Sequence, residues 1–395
     1  MFLFPICIAT MAVMSLAVVP DTRREKETLR LKLRQTARDR HGDRDRDRHR
    51  DRDRDRDTYR PPDSWKDTNT EIRPADVRSD TEEWCRVIKS SPEPDIIFYN
   101  RIPKCASSTM LALYGARELK IRKTKAFESF NLHRKFWFDY PNPVLQEELY
   151  EEVNKHIQTP ATKIVFNSHT GYFPFNQSAM KYQKLVEHTQ VVRGCEARQM
   201  SASLYGLYGV MTRKKANRTK LYQHIQKHLS LTKESDVEPC LSSEACLKKK
   251  MLPANKSNLI ATYMGGCEHN NCQSFSEKVQ AVQTNIQAKG AYKTFGMSEF
   301  LSEYLEMLEC VYPSMLTSIS SIYENTDVLQ MNKRDVINYH PPAVEIISKL
   351  SKAKCLDSPD TYLYHMLNAT FWSRYQAMKT SPSSCCRPKS MLSIS

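Results

Sequence analysis

The sequence predicts an α/β domain built on a parallel β-sheet flanked by helices. Three observations predict it. An apolar run at 96–99 and short strand-like segments at 163–166 and about 189–192 each have the length of a buried strand. Each ends in a polar loop, and the first and third run on into helical stretches. Strands that alternate with helices pair in parallel, because the helix carries the chain back to the starting edge. In such sheets ligands collect beyond the carboxyl ends of the strands.

The chain is 395 residues long, 40% hydrophobic and 26% charged. It can bury a real core, and its charge density excludes a multi-span membrane protein. The net charge of +14 predicts a polyanionic partner: nucleic acid, anionic lipid or acidic polysaccharide.

Residues 1–20 carry no charge and suit a signal-anchor of a type II membrane protein, with a cleaved signal peptide as the alternative. The basic cluster from Arg23 to Arg34 would by itself keep that flank in the cytosol. Twelve cysteines and the N-x-S/T sequons at Asn176, Asn217, Asn255 and Asn368 point instead to a lumen. They also speak against nucleic acid as the partner. Residues 38–57 alternate Arg and Asp with no apolar residue to bury, so disorder is expected there. A stalk and a repeat expansion without a role both fit that run. The Pro-punctuated stretch to 94 reads as linker, so 21–94 forms a stem, 95–380 the folded domain and 381–395 a polar tail.

The first strand opens into Arg101-Ile102-Pro103-Lys104-Cys105-Ala106-Ser107-Ser108-Thr109, followed by a predicted helix over 110–119. A strand, a tight loop with a lysine and three hydroxyls, and a helix form a phosphate cradle. Lys104 supplies a point charge; Ser107, Ser108 and Thr109 can donate hydrogen bonds and cap the helix. An ordinary capped helix remains the alternative. The P-loop pattern G-x-x-x-x-G-K-[ST] does not occur. The second strand ends in Asn167-Ser168-His169-Thr170-Gly171, and the third in Arg193-Gly194-Cys195 before a helix with Ser201, Tyr205 and Tyr208. Lys104, His169 and Arg193 thus each follow a strand end and should converge on one edge. Basic clusters for a polyanion occur at Arg213, Lys214, Lys215, Arg218 and Lys220, at 117–125, and at 248–250. A zinc set from Cys267, His269 and Cys272 can be drawn on paper, but in an oxidising compartment disulfides are favoured, and no metal is expected.

These motifs, in this order, resemble the uronosyl 2-O-sulfotransferases, the heparan sulfate 2-O-sulfotransferase and its dermatan/chondroitin-directed uronyl relative. RIPKCASST is similar to their 5′-phosphosulfate loop, VVRGCEARQMSASLY to their 3′-phosphate segment, and FNSHTGYFPF to their His-bearing strand end. Gly296-Met297-Ser298-Glu299-Phe300 resembles a further segment of the family. Cys240 with Cys246, and Cys267 with Cys272, fall where that family has two small disulfide loops. The chain departs from the pattern at Gly194-Cys195, where Asp-Pro is usual, and at Asn167, where the family has a first histidine.

The resemblance implies a P-loop-like sulfotransferase fold and a donor, 3′-phosphoadenylyl sulfate. It implies a glycosaminoglycan acceptor, heparan sulfate first and dermatan or chondroitin second, modified at a uronic acid 2-hydroxyl. Lys104 would bridge the sulfuryl group and leaving phosphate, and His169 would act as base. Ala106, Ser107, Ser108 and Thr109 would bind the 5′-phosphosulfate, and Arg193 and Ser201 the 3′-phosphate. Arg101, Asn167, Arg213, Lys214 and Lys215 would face the acceptor. A Golgi membrane location and a homotrimer are further implications, and a catalytically impaired binder of donor or polysaccharide is the competing reading.

Overall fold

The computed structural model describes residues 74–115, 127–132, 143–208, 218–251, 259–267, 272–287, 289–325, 340–356 and 358–388, all within one unit spanning Ile72–Ser395. The apolar 1–20 segment, the Arg/Asp run, Arg213 to Lys215, Asn217, Asn255, His269 and the 117–125 cluster lie outside the described residues.

Five parallel strands form the sheet: β1 (Ile96–Asn100), β2 (Glu128–Asn131), β3 (Ile164–Ser168), β4 (Val186–Val192) and β5 (Gly296–Met297). Their order is β2-β3-β1-β4-β5. The principal helices are α1 (Pro74–Ser90), α2 (Ser107–Tyr114), α3 (Pro143–His156), α4 (Cys195–Tyr208), α5 (Arg218–His228), α6 (Leu259–Gly265), α7 (Phe275–Ile286), α8 (Leu301–Val311), α9 (Pro341–Cys355), α10 (Pro359–Thr380) and α11 (Pro382–Cys385).

β1 shows why the sheet is covered on both sides. All five of its residues are buried, and successive side chains alternate between faces. Ile96 and Phe98 join one core with Leu149 and Val153 of α3 and with Ile157 just past its end. Ile97 and Tyr99 join another with Leu113 and Tyr114 of α2 and Tyr304 and Leu305 of α8. A strand buried on both faces must read as a continuous apolar run, which is what made it visible.

The strand order sets the place of the site. From β1 the chain moves to β2 on one side, and from β4 to β5 on the other. The crevice between β1 and β4 is therefore the topological switch point, where the two outgoing loops diverge.

The folded unit extends past both of its expected limits. The stretch before 95, read as linker, contains α1, whose Trp84 and Ile88 are fully buried. Trp84 donates its indole N–H to the Lys293 carbonyl at 2.7 Å. The stretch after 380, read as tail, contains α11 and the buried Arg387, paired with Glu187 at 2.9 Å. Disulfides tie both ends down: Cys85–Cys385 joins α1 to α11, and Cys310–Cys386 joins α8 to the following residue. Proline and charge made both stretches look unstructured, and long-range bridges that hold them are invisible in local sequence. Cys240–Cys246 and Cys267–Cys272 close the two short loops, and Cys195–Cys355 ties the start of α4 to the end of α9.

Candidate functional site

The loop after β1 is built from strained backbone. Lys104 and Ala106 both lie in the left-handed region, at φ 68° and 51°. Neither is glycine, so each costs about 1–3 kcal/mol that the surrounding packing must hold. Cys105 between them supplies part of that packing: its side chain is fully buried. Burial pushes its thiol up to about 12, which excludes a thiolate nucleophile. Alternation of left-handed residues along a loop turns successive N–H groups inward, an arrangement that suits anions.

α2 begins at once. Its N-cap is Ala106, whose methyl offers no cap, and Ser107, Ser108 and Thr109 form the first turn after it. Thr109 and Met110 instead donate their N–H groups to the Ala106 carbonyl, each at 3.0 Å. The N–H groups of Ser107 and Ser108 open the helix, where no intrahelical acceptor exists, and no acidic residue stands in the first turn. The helix dipole there favours negative charge.

β3 delivers His169. The ladder continues one residue past the strand end, with Arg101 N–H donating to the Ser168 carbonyl at 2.6 Å. His169 Nδ1 then meets the Arg101 carbonyl at 2.5 Å. A carbonyl only accepts, so Nδ1 carries the proton and Nε2 carries the lone pair. Burial, and then the Arg101 charge, lower the imidazole to about 4 against a partial offset from that hydrogen bond. The ring is thereby neutral across the physiological range. Asn167 is buried in β3 and donates to Ser129 Oγ at 3.1 Å and the Phe130 carbonyl at 3.4 Å. Its amide nitrogen thus braces β2.

β4 delivers Arg193, one residue past its end. Arg193 donates from one terminal nitrogen to the Lys104 carbonyl at 3.4 Å, spanning the β1–β4 crevice. Its Nε lies 4.0 Å from a carboxylate oxygen of Glu299, which follows β5. Tyr364 of α10 packs on Gly194 and hydrogen-bonds Glu299. Burial and the neighbouring carboxylate raise the Tyr364 phenol. Ser201 lies on the same helix that Arg193 leads into, half-buried. Behind it Arg198, also on α4, is buried and pairs with Asp360 at 2.6 Å; Asp360 also accepts from Leu259 and Ile260 N–H at 2.8 and 2.9 Å. That carboxylate fastens α4, α6 and α10 together directly behind the crevice.

Four adjacent strands, β3, β1, β4 and β5, therefore each send an ionisable side chain to one sheet edge: His169, Lys104, Arg193 and Glu299. The first three were legible as strand-end residues. Glu299 and Tyr364 were missed as neighbours of Arg193, although Glu299 sits in a segment already singled out. Tyr205 was noted only as a helix residue, and its ring holds the Lys104 ammonium at 2.9 Å from the centroid.

Of the sequons, Asn176 is exposed, and its side chain accepts from Ser178 N–H and hydroxyl at 3.0 and 2.8 Å. Asn368 is half-buried within α10 and its Thr370 is buried, so the regular helix there denies it the extended presentation that glycosylation needs. Lys220, Lys248 and Lys249 are exposed. Among the described residues no group of three or more His, Cys, Asp or Glu could hold a metal ion, and no helix is long and apolar enough to cross a membrane. No family model matches the chain, and no curated protein matches it.

Proposed function

We propose that this protein is a polysaccharide O-sulfotransferase of the uronosyl 2-O type. It takes the sulfuryl group from 3′-phosphoadenylyl sulfate and transfers it to the 2-hydroxyl of uronic acid residues, iduronate foremost, in a glycosaminoglycan. Heparan sulfate is the first choice of acceptor, dermatan or chondroitin the second. The reading carries with it a Golgi membrane location and a homotrimer.

The observation that supports it is the contact between the two loops at the switch point, where Arg193 bonds the Lys104 carbonyl at 3.4 Å and His169 stands one strand away. A bisphosphorylated donor needs two cationic sites at a fixed spacing, and two loops locked to each other provide one. An arginine fork suits the 3′-phosphate. Lys104 and the α2 N–H groups suit the 5′-phosphosulfate.

The chemistry then follows from charge. The 2-hydroxyl oxygen attacks sulfur as the bond from sulfur to the bridging phosphate oxygen breaks, and the electron pair leaves on that oxygen. Lys104 stabilises the charge that develops there. The hydroxyl proton passes to His169 Nε2, the nitrogen that its bond to Arg101 leaves unprotonated. Positioning and electrostatics supply the catalysis, as in phosphoryl transfer.

A second reading, a relative that binds donor or polysaccharide without turnover, draws on the low basicity of His169. One experiment separates the two: incubation of the full chain with sulfur-labelled donor and a panel of desulfated heparan, dermatan and chondroitin. Label in one acceptor establishes the enzyme and its substrate. Binding without label leaves the second reading, and neither binding nor label sinks both.

A further inference from the structure

Lysine is a poor catalyst unless something fixes its long, flexible stem. Lys104 has such a fixture. Its backbone is left-handed, and its ammonium rests 2.9 Å above the ring centroid of Tyr205, on α4. A cation is drawn to the negative face of an aromatic ring. The residue is 41% exposed, so packing of a hydrophobic core does not explain its position. Its backbone is held from behind. His224 of α5 donates from Nε2 to the Gly206 carbonyl at 3.1 Å, and the His228 ring fills the space a Cβ on Gly206 would take, 2.7 Å from Nε2. Arg193, just past β4, bonds the Lys104 carbonyl. The ring face gives the ammonium at the end of that flexible stem a fixed place.

We propose that Tyr205 is a positioning residue for Lys104: its π face fixes the ammonium at the mouth of the β1–β4 crevice, beside Arg193, where the leaving phosphate of the donor is bound. This rests on the reading of Lys104 as the donor-site lysine. The phenol hydroxyl is not required; the ring is. Tyr205→Phe therefore keeps the function and Tyr205→Leu loses it. Because the residue is half out of the fold, neither change threatens folding.

The test has two readouts on the full chain. The first is the NMR signal of Lys104 after reductive methylation with labelled carbon, assigned by its loss in Lys104→Arg. A methylammonium over a ring is shifted upfield, so wild type and Tyr205→Phe should show the shift and Tyr205→Leu should return it to the range of surface lysines. The second is steady-state kinetics with labelled donor. Tyr205→Leu should lower kcat about 10-fold with the donor KM changed less than threefold, and Tyr205→Phe should restore kcat to within twofold. An unshifted Lys104 signal in wild type, or wild-type kcat in Tyr205→Leu, overturns the proposal. Binding of adenosine 3′,5′-bisphosphate to wild type, measured by calorimetry, keeps the two levels apart. No binding there fails the donor site itself and the positioning role with it, whereas binding with Tyr205→Leu equal to wild type fails only Tyr205.

Discussion

The imidazole of His169 is held through Nδ1 by the carbonyl of Arg101, at 2.5 Å, one strand over. That single bond decides the tautomer and ties the candidate base to the loop that carries Lys104. It also gives the pH dependence. With the ring lowered to about 4, turnover should stay level from pH 8 to about 5 and fall only as the pH approaches 4. His169→Ala should lose activity with donor affinity nearly intact. A rate that already falls through pH 6.5, or activity retained in His169→Ala, would place the base elsewhere.

The same shift acts on stability. The folded value of about 4 lies below the unfolded value near 6.5, and the buried His188 is lowered to about 4 as well. Between those limits the unfolded chain binds protons that the folded chain refuses. The contribution is complete above pH 6.5 and is lost as pH falls towards 4, at up to about 1.4 kcal/mol per pH unit for each ring. Urea melts at pH 7 and pH 5 should show lower stability at pH 5, and His169→Gln should reduce the difference. Equal pH dependence in both proteins would show that His169 is not the source.

Much of this arrangement was legible because β1 and β3 are buried on both faces and begin as continuous apolar runs, whereas β4, with buried Glu187 to Gln190, shows itself only by Val191-Val192 at its end. Their ends then mark themselves by the first polar residues, which are the site. The rest was hidden for physical reasons. β2 has the sequence Glu-Ser-Phe-Asn, only four residues at the sheet edge, and β5 has two. α1 carries Trp84 and Ile88 one turn apart, the spacing of a buried stripe, but charged residues surround them. No local pattern could join Cys85 to Cys385, which lies 300 residues away. The Tyr205 ring reaches Lys104 only because of how α4 leaves β4, a matter of packing rather than of spacing.

Lys104→Ala should reduce transfer about 100- to 1000-fold, the usual cost of removing one donor aimed at developing charge. Binding of adenosine 3′,5′-bisphosphate should suffer less than turnover, since Arg193 and the α2 N–H groups remain. Near-normal rates in Lys104→Ala would sink the assignment of the loop.

Non-reducing peptide mapping should recover Cys195–Cys355 together with the other four bridges, and leave Cys105 as a thiol. Cys195–Cys355 closes a loop of 160 residues and fixes the first residue of α4 two positions after Arg193. In the chain-entropy picture a loop of that size stabilises by about 5 kcal/mol, and the short loops by about 2–3 kcal/mol. Cys355→Ser should therefore lower the melting temperature more than Cys246→Ser does, and weaken bisphosphate binding as well. The reverse order would show that the long bridge does not constrain the native site.

Behind the crevice, the Arg198–Asp360 pair offers the sharpest test of how the site is braced. Both side chains are buried, and Asp360 satisfies two α6 N–H groups besides the guanidinium. Asp360→Asn keeps the shape but leaves one acceptor oxygen for two N–H groups that now use different oxygens, and it leaves the Arg198 charge uncompensated. Breaking a buried pair in this way costs about 3–5 kcal/mol, which at this size lowers the melting temperature by on the order of 10 °C. Arg198→Met alone should also be costly, because it leaves a buried carboxylate. The double substitution removes both charges at once and so should cost clearly less than the sum of the two. Arg198 is also close enough to Cys105 for its charge to act on that thiol, which lies in the Lys104 loop. Asp360→Asn should then lower donor turnover even at temperatures where the fold persists, and the double variant should recover part of it. Strict additivity in the melting temperatures would mean that the two residues act independently, and α4 would need another anchor behind Arg193.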